Sequence, residues 1–468
     1  MKFGFCQNLK APRVNFFLKN KESKRAIMTT LVSKSSSKFI GKARIPGDKS
    51  ISHRALLLAA LAPGMSQIEG LLESEDVLNT KKALAALGVK IKKNLTNFQV
   101  AGVGTGGLKP PKVPLDFGNS GTGARLMMGL LAGCPFAVRI TGDSSLVTRP
   151  MARILAPLCD MGAMVDPKGA TTLPFTLTGT ANLRAIDYVS KVPSAQVKSA
   201  ILLAALGAAG ETSVVERLPT RDHTERLLAG FGAKILKETG DNGSVKVIIK
   251  GRPVLRPQSL VIPGDFSAAA FLIVAALTVP GSKITLKNVG VNPLRTGLLD
   301  VLATMGANLE MTNQKNCSGE PVADLLAGHS SLSGIKTSAA IAPRMIDEFP
   351  ILFVAAALAK GISEFRGLQE LRLKESDRLK EMAQGLTANG VEVEELSDGL
   401  KIKGLGGMVP GGGMIDAHHD HRIAMAFLVL GLRARNPVTV RGAESISTSF
   451  PGFAKLMTGL GANIKDAE

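Results

Sequence analysis

Lys49, Ser50 and Arg54 stand within six residues of one another in PGDKSISHRA, immediately before the apolar run ALLLAALA. Two cations that close, at the start of a buried helix, repel unless an anion lies between them, and a phosphate or carboxylate would supply it. The segment Gly118, Asn119, Ser120, Gly121, Thr122, Gly123 precedes a further cation, Arg125. Glycines there let the backbone come close to a ligand and form an anion-binding nest. Arg149 precedes Pro150, Arg221 lies in TRDHTER, and Lys374 and Arg378 flank KESDR. The carboxylates Asp347, Glu375 and Asp420 fall in the same kind of segment. Cations mixed with carboxylates that move protons are what acid–base chemistry on an anionic substrate requires. Asp420 also suits a helix cap.

Two patterns imitate other chemistries. Gly102, Gly104 and Gly107 have dinucleotide-fingerprint spacing, but the chain runs on into LKPPKVP, whose prolines forbid the helix that would hold a pyrophosphate, so a loop is expected. His418, His419 and His421 surround Asp420 and look metallic. They stand at one of six repeated helix starts, the other five of which carry no ligand set, so no metal and no cofactor are expected. No G-x-S-x-G elbow and no P-loop lysine is present, which leaves a serine hydrolase and a nucleotide kinase without support.

The elements that must position these residues repeat six times. Segments ending ALAALG, PLCDMG, LAGFG, LATMG, LTANG and MTGLG close on Gly88, Gly162, Gly232, Gly306, Gly390 and Gly461, about 70 to 85 residues apart. Glycine there suits a left-handed helix cap, and the β-branched or alternating residues that follow predict a strand. A second helix type also recurs six times, starting at DKSISHRA, GNSGTGAR, SAQVKSA, GDFSAAA, DEFPILF and DHRIAMA, with a polar head on a body apolar around its circumference. Such helices are buried. Each leads into a short strand such as TSVVERL or SKITLKNV. Six units make two α/β domains of three. The first is expected over residues 48–262, and the second combines residues 39–47 with 263–468. Ordinary capping explains the Ser, Asp and Asn of any one head; the charges one turn inward favour anion binding at the helix starts.

The 468 residues are too many for one ordinary core. Of the +19 formal charge, residues 1–38 hold nine Lys/Arg against one Glu, leaving +11 for the remainder. That first segment, LVSKSSSK included, reads as a disordered basic extension without the apolar stretch of a secretory signal; an organelle transit peptide, an added or species-specific extension and a start at Met28 compete, the last two being favoured. A basic chain suits nucleic acid or small polyanions. With no Trp, one Tyr and 4% aromatic residues, it lacks the stacking platforms of single-strand binders, so nucleic acid is discounted. Apolar runs fall short of a membrane span, and four scattered cysteines fit a reducing cytoplasm.

The heads PGDKSISHRA, LDFGNSGTGARL, TRPM, SAQVKSA, TRDHTE, MIDEFPI, LKESDR and DHRIAM resemble the 5-enolpyruvylshikimate-3-phosphate synthase family, from about Gly41 to the C-terminus. The resemblance implies two inside-out α/β domains, each of three βαβαββ units, closing over the substrates. It implies transfer of the enolpyruvyl group of phosphoenolpyruvate to the 5-hydroxyl of shikimate 3-phosphate in aromatic amino-acid biosynthesis, by a cytoplasmic, metal-free monomer. By resemblance, Lys49, Ser50, Arg54, Ser194, Ala195, Gln196, Arg221, Asp347 and Lys374 would hold shikimate 3-phosphate. Lys49, Gly121, Arg149, Gln196, Arg378 and Arg422 would hold phosphoenolpyruvate. Asp347 would be the base toward the hydroxyl, with Glu375 and Lys49 as proton carriers.

Thr448 and Ala195 depart from the Lys and Ser of many members and resemble the family's second, glyphosate-tolerant bacterial class. Gly121 keeps the glycine usual in sensitive enzymes, so inhibition by glyphosate is expected. The sister transferase acting on UDP-N-acetylglucosamine would show Lys-Asn at Lys49-Ser50 and a loop cysteine. A non-catalytic anion-binding protein would have little use for Asp347 and Glu375 beside the cations.

Overall fold

The structure is a computed structural model that describes residues 29–467. Its six inner helices are Lys49–Leu61, Gly121–Ala132, Ala195–Ala205, Phe266–Thr278, Phe349–Leu358 and His421–Gly431. Every residue of Phe266–Thr278 and of Phe349–Leu358 is buried, as the absence of any polar stripe in their sequences requires. The first three inner helices share one hydrophobic core and the last three another. Within the first, Gly129 lets the Gly121 helix meet the Ala195 helix, since a Cβ there would stand 2.3 Å from the Ala200 carbonyl oxygen.

Around these cores lie outer helices and sheets of one recurring plan. In the sheet built from Leu115–Asp116, Ala137–Thr141, Phe175–Thr178 and Met164–Asp166, the first pair is parallel across the inner helix and the other two are antiparallel. Four more sheets repeat that order. In the fifth unit only three strands form, and isolated parallel bridges at Ser333–Lys360 and Lys336–Glu364 stand where the fourth would lie. All six glycines expected to cap the outer helices have φ between +91 and +116, except Gly390 at +80. The segment after Gly102 is a loop; the next helix begins at Gly121.

The chain passes between the two cores twice, each time straight after a strand held in the half it is leaving. Ile40–Arg44 pairs in parallel with Lys283–Gly290, and Ser259–Val261 pairs in parallel with Gly64–Glu69. The two passages lie side by side: Asp48 N–H donates to the Pro263 carbonyl at 2.8 Å and Asp265 N–H to the Pro46 carbonyl at 2.9 Å. Gly47 is needed here because a Cβ would sit 2.0 Å from the Gly70 carbonyl oxygen.

One expectation is corrected. The basic extension was expected to run to Lys38, yet Thr30–Lys34 is a strand between Val438–Arg441 and Asn463–Asp466. It supplies the last strand of the sixth unit from the opposite end of the chain. Its alternation places Leu31 and Ser33 inward, Ser33 Oγ donating to the Leu428 carbonyl at 2.7 Å, while the neighbouring Lys and Ser residues disguise the pattern. Residues 1–28 lie outside the described residues. Deleting Thr30–Lys34 leaves two strand edges unpaired, and we expect the thermal unfolding midpoint to fall by about 5 °C or more; an unchanged midpoint by calorimetry would show the strand to be dispensable.

Candidate active site

All six inner-helix starts reach one cleft of about 420 Å³ between the two cores. They contribute Lys49 and Ser50, Gly121 and Thr122, Ala195 and Gln196, Asp265, Asp347, and His421 and Arg422. Five of the six starts are fixed by a side-chain cap, the exception being Phe349–Leu358, and Ser194 accepts from Val197 N–H at 3.5 Å. Asp48 accepts from Ile51 N–H at 2.9 Å, Ser120 from Gly123 N–H at 3.1 Å, Asp265 from Ser267 N–H at 2.8 Å and Asp420 from Arg422 N–H at 2.9 Å. Capping and ligand approach are thus compatible, because one side-chain oxygen leaves the other free N–H groups of the first turn facing the cleft.

Of the residues singled out in the sequence, Lys49, Ser50, Arg54, Gly121, Arg149, Ser194, Ala195, Gln196, Arg221, Asp347, Lys374, Glu375 and Arg422 line the cleft. Arg378 does not line it. It lies behind, almost wholly buried, with Nε 2.7 Å from Asp420 and Nη2 2.7 Å from Glu375. Asp420 is buried and serves both as cap and as counter-ion. His421 faces the cleft, whereas His418 and His419 are exposed, so the three histidines do not converge; no group of three or more potential ligands gathers among the described residues.

The lining holds nine Lys/Arg and five Asp/Glu side chains. Several ion pairs cross the cleft: Arg149 to Glu375 at 3.5 Å, Arg221 to Asp347 at 2.6 Å and Arg153 to Glu370 at 2.9 Å. Lys374 Nζ is 3.7 Å and Arg378 Nη1 3.4 Å from Asp347. Burial opposes the charge on Asp347, but Lys374, Arg221, Arg422 and Arg378 outweigh it and hold the carboxyl well below its usual range. Glu375 is likewise held well below, against burial, chiefly by Arg378 and Arg149. Burial, with Lys49 and Arg422 nearby, pushes His421 well down, so its ring is neutral at pH 7. Burial and the adjacent Arg153 and Arg149 lower Arg125 to about 9.

Residues 33–457 match the family model described as EPSP synthase (3-phosphoshikimate 1-carboxyvinyltransferase). The chain belongs to the EPSP synthase family. It is 51% identical over 436 residues to the 3-phosphoshikimate 1-carboxyvinyltransferase of Parvibaculum lavamentivorans, covering 93% of this chain and 97% of that one. An EPSP synthase structure from Acinetobacter baumannii superposes with a TM-score of 0.83 at 42% identity, covering 94% of this chain and all of that one. The enolpyruvyl transferase NikO from Streptomyces tendae, 17% identical, shares the fold with a TM-score of 0.74, covering 94% of this chain and 99% of that one.

Within this EPSP synthase fold, seven titratable cleft residues carried no site assignment from the sequence: Asp76, Arg153, His223, Asp265, Arg295, Glu370 and His421. Asp76 Oδ2 stands 3.0 Å from Lys49 Nζ, and burial raises its proton affinity despite that cation. It lies on an outer helix, Glu75–Ala86, where the sequence shows only an ordinary acidic first turn. His421 was obscured by its exposed neighbours. Arg295 had no signal at all, because it precedes a short outer helix rather than an inner one.

Because the folded values of Asp347 and Glu375 are depressed, their contribution to stability is present above the unfolded carboxylate pKa of about 4 and disappears as pH falls through the folded values. The Asp347→Asn, Glu375→Gln variant is therefore expected to lose less stability on acidification below about pH 4 than the parent. Parallel acid limbs in denaturant titrations would contradict the assignment.

Proposed function

We propose that this chain is a 3-phosphoshikimate 1-carboxyvinyltransferase that joins the enolpyruvyl group of phosphoenolpyruvate to the 5-hydroxyl of shikimate 3-phosphate and releases phosphate. The observation that carries the reading is the convergence of six helix starts on a cleft with nine cations and, between them, Asp347 and Glu375. The two substrates bring two phosphates and two carboxylates. Two like charges about 4 Å apart repel by about 4 kcal/mol at an effective dielectric of about 20, so the cations must be in place before the reactants meet.

In this reading the 5-hydroxyl attacks C2 of phosphoenolpyruvate while C3 takes a proton, and the resulting tetrahedral adduct then loses phosphate and a C3 proton. Lys49, Ser50, Arg54, Ser194, Ala195, Gln196, Arg221, Asp347 and Lys374 hold shikimate 3-phosphate; Lys49, Gly121, Arg149, Gln196, Arg378 and Arg422 hold phosphoenolpyruvate. Asp347 takes the hydroxyl proton. As found, it is a weak base because Arg221 and Lys374 hold it ionised. Substrate anions that draw those cations away raise its proton affinity at the moment it must act. Arg149 and Arg378 similarly restrain Glu375 until the phosphoenolpyruvate anion engages them. Lys49, 3.0 Å from Asp76, is the second carrier of the C3 proton. The protein works as a cytoplasmic monomer on these two small anions and not on nucleic acid.

Phosphate release in the presence of phosphoenolpyruvate is expected with shikimate 3-phosphate and not with UDP-N-acetylglucosamine. Release only with the nucleotide sugar would reassign the chain to the sister activity, and release with neither would remove the reading. Arg149→Ala and Arg378→Ala are each expected to raise KM for phosphoenolpyruvate about tenfold or more, as loss of a charge-assisted hydrogen bond implies. Unchanged steady-state constants in both would take them out of the site.

A Cβ on Gly121 would come 3.2 Å from Nη1 of both Arg125 and Arg149. Gly121→Ala is therefore expected to weaken glyphosate inhibition, with a smaller rise in KM for phosphoenolpyruvate, measured by inhibitor titration at limiting phosphoenolpyruvate. An unaltered inhibition constant would show that the methyl group is accommodated without moving either guanidinium.

A further inference from the structure

Arg295 is 3% exposed and lies where the two chain passages run side by side. Its Nη1 is 3.0 Å from Asp48 Oδ2 and its Nη2 is 2.8 Å from Asp265 Oδ1. Those aspartates cap the Lys49 helix of one core and the Phe266 helix of the other. Nη2 also donates to Ser267 Oγ at 3.0 Å, and Ser267 Oγ in turn donates to Glu348, the residue after Asp347. The second oxygen of Asp265 accepts from the backbone N–H of Lys49 at 2.9 Å. One guanidinium therefore stands between two buried carboxylates from different halves of the molecule, one residue from the lysine that carries a proton in the proposed reaction.

We propose that Arg295 is a positioning residue: by bridging Asp48 and Asp265 it locks the two helix starts together and sets the Lys49 backbone, and with it the Lys49 side chain, in the cleft. The inference rests on the transferase reading for its kinetic consequence but not for its structural one. Without the guanidinium, two buried aspartates would face each other with no shared counter-charge, and like charges so placed drive apart or take up a proton. The charges around the pair are Arg295, Glu348 and Asp347 on one side, His223 and Arg54 on the Asp48 side, and Arg422 beside Asp265. Burial already raises the proton affinity of Asp48, whereas against burial Arg295 and the Lys49 N–H hold Asp265 below its usual range. A bridge that sets geometry rather than touching the reacting atoms acts on kcat, because small displacements of a proton carrier cost rate steeply.

The test uses the full chain with Arg295→Gln, Arg295→Lys and Asp48→Asn, Arg295→Gln, each checked for a cooperative unfolding transition. Arg295→Gln is expected to lower kcat roughly 10²-fold. Its kcat relative to the parent should recover as pH falls from about 8.5 to about 6, as a proton takes the place of the guanidinium between the aspartates. Arg295→Lys restores the charge and, with asparagine still able to cap, the double variant removes one of the two opposed charges, so both should recover part of the loss. Hydrogen–deuterium exchange at residues 47–52 and 263–268 should quicken in Arg295→Gln. Exchange at the parent rate in both segments overturns the bridge, even if the parent chain proves inactive on phosphoenolpyruvate and shikimate 3-phosphate, an outcome that would sink only the transferase reading. A lowered kcat with a pH-independent ratio and no recovery in either companion variant also overturns it, assigning Arg295 to packing alone.

Discussion

The constraint on which the molecule depends is charge balance across a cleft with low-dielectric walls. Nine cationic side chains cannot be gathered in about 420 Å³ without opposite charges, and the protein supplies them from the facing side. Glu375 answers Arg149, Asp347 answers Arg221, and Glu370 answers Arg153. Because the partners belong to different cores, every one of these pairs holds the halves together as well as neutralising the site. Substrate anions that replace the carboxylates on the cations would free the carboxylates for proton transfer, so binding and activation become a single exchange of partners.

This explains why the two carboxylates proposed to move protons, Asp347 and Glu375, are tied to so many cations. A carboxylate with a strongly depressed proton affinity is a poor base on its own. Asp347 is depressed by four cations and Glu375 chiefly by two, and in each case the same cations are the proposed ligands of an incoming phosphate or carboxylate. Arg378 fits this account although it does not line the cleft. Its pairs with Asp420 and Glu375 leave it nearly inaccessible, but its third nitrogen points toward Asp347 at 3.4 Å, and movement of Glu375 would open it to an anion.

Much of this was legible in the sequence because the chemistry is carried by repetition. Six glycine caps and six greasy helices with polar heads announce the units, and the heads are where the cleft formed. What escaped reading followed from partners distant in sequence. Thr30–Lys34 pairs with strands more than 400 residues away, and its inward Ser33 breaks the apolar alternation that would have marked it. Asp76 and Arg295 sit at outer helices, where a charged residue is ordinary, and gain meaning only from Lys49 and the two capping aspartates that the fold brings to them. The histidine triple, where the sequence led us to expect no metal, is a case in which closeness along the chain is not closeness in space: His418 and His419 sit in a left-handed turn at φ of 45 and 61, while His421 alone faces the cleft.

The two chain passages also bear on how such a site is kept in register. Each follows directly on a strand that pairs within the half the chain is leaving, Ile40–Arg44 beside Lys283–Gly290 and Ser259–Val261 beside Gly64–Glu69, so each passage is anchored in a sheet just before it turns into an inner helix of the other half. Lys49 begins the helix that follows one passage, and Asp265 caps the helix that follows the other; the hydrogen bond between them ties the proposed proton carrier directly to the junction. A rotation of one half on the other would change the distances across the open side of the cleft far more than those near this junction. The cross-cleft pairs of Arg149, Arg153 and Arg221 lie between opposing walls and would part in such a rotation, whereas Lys49, hydrogen-bonded through its backbone to Asp265, would be displaced least relative to both halves. With the proposed carrier Lys49 beside this junction and the proposed carrier Glu375 on the wall facing Arg149, any opening of the cleft would separate the two, and their joint action would require it closed with water excluded.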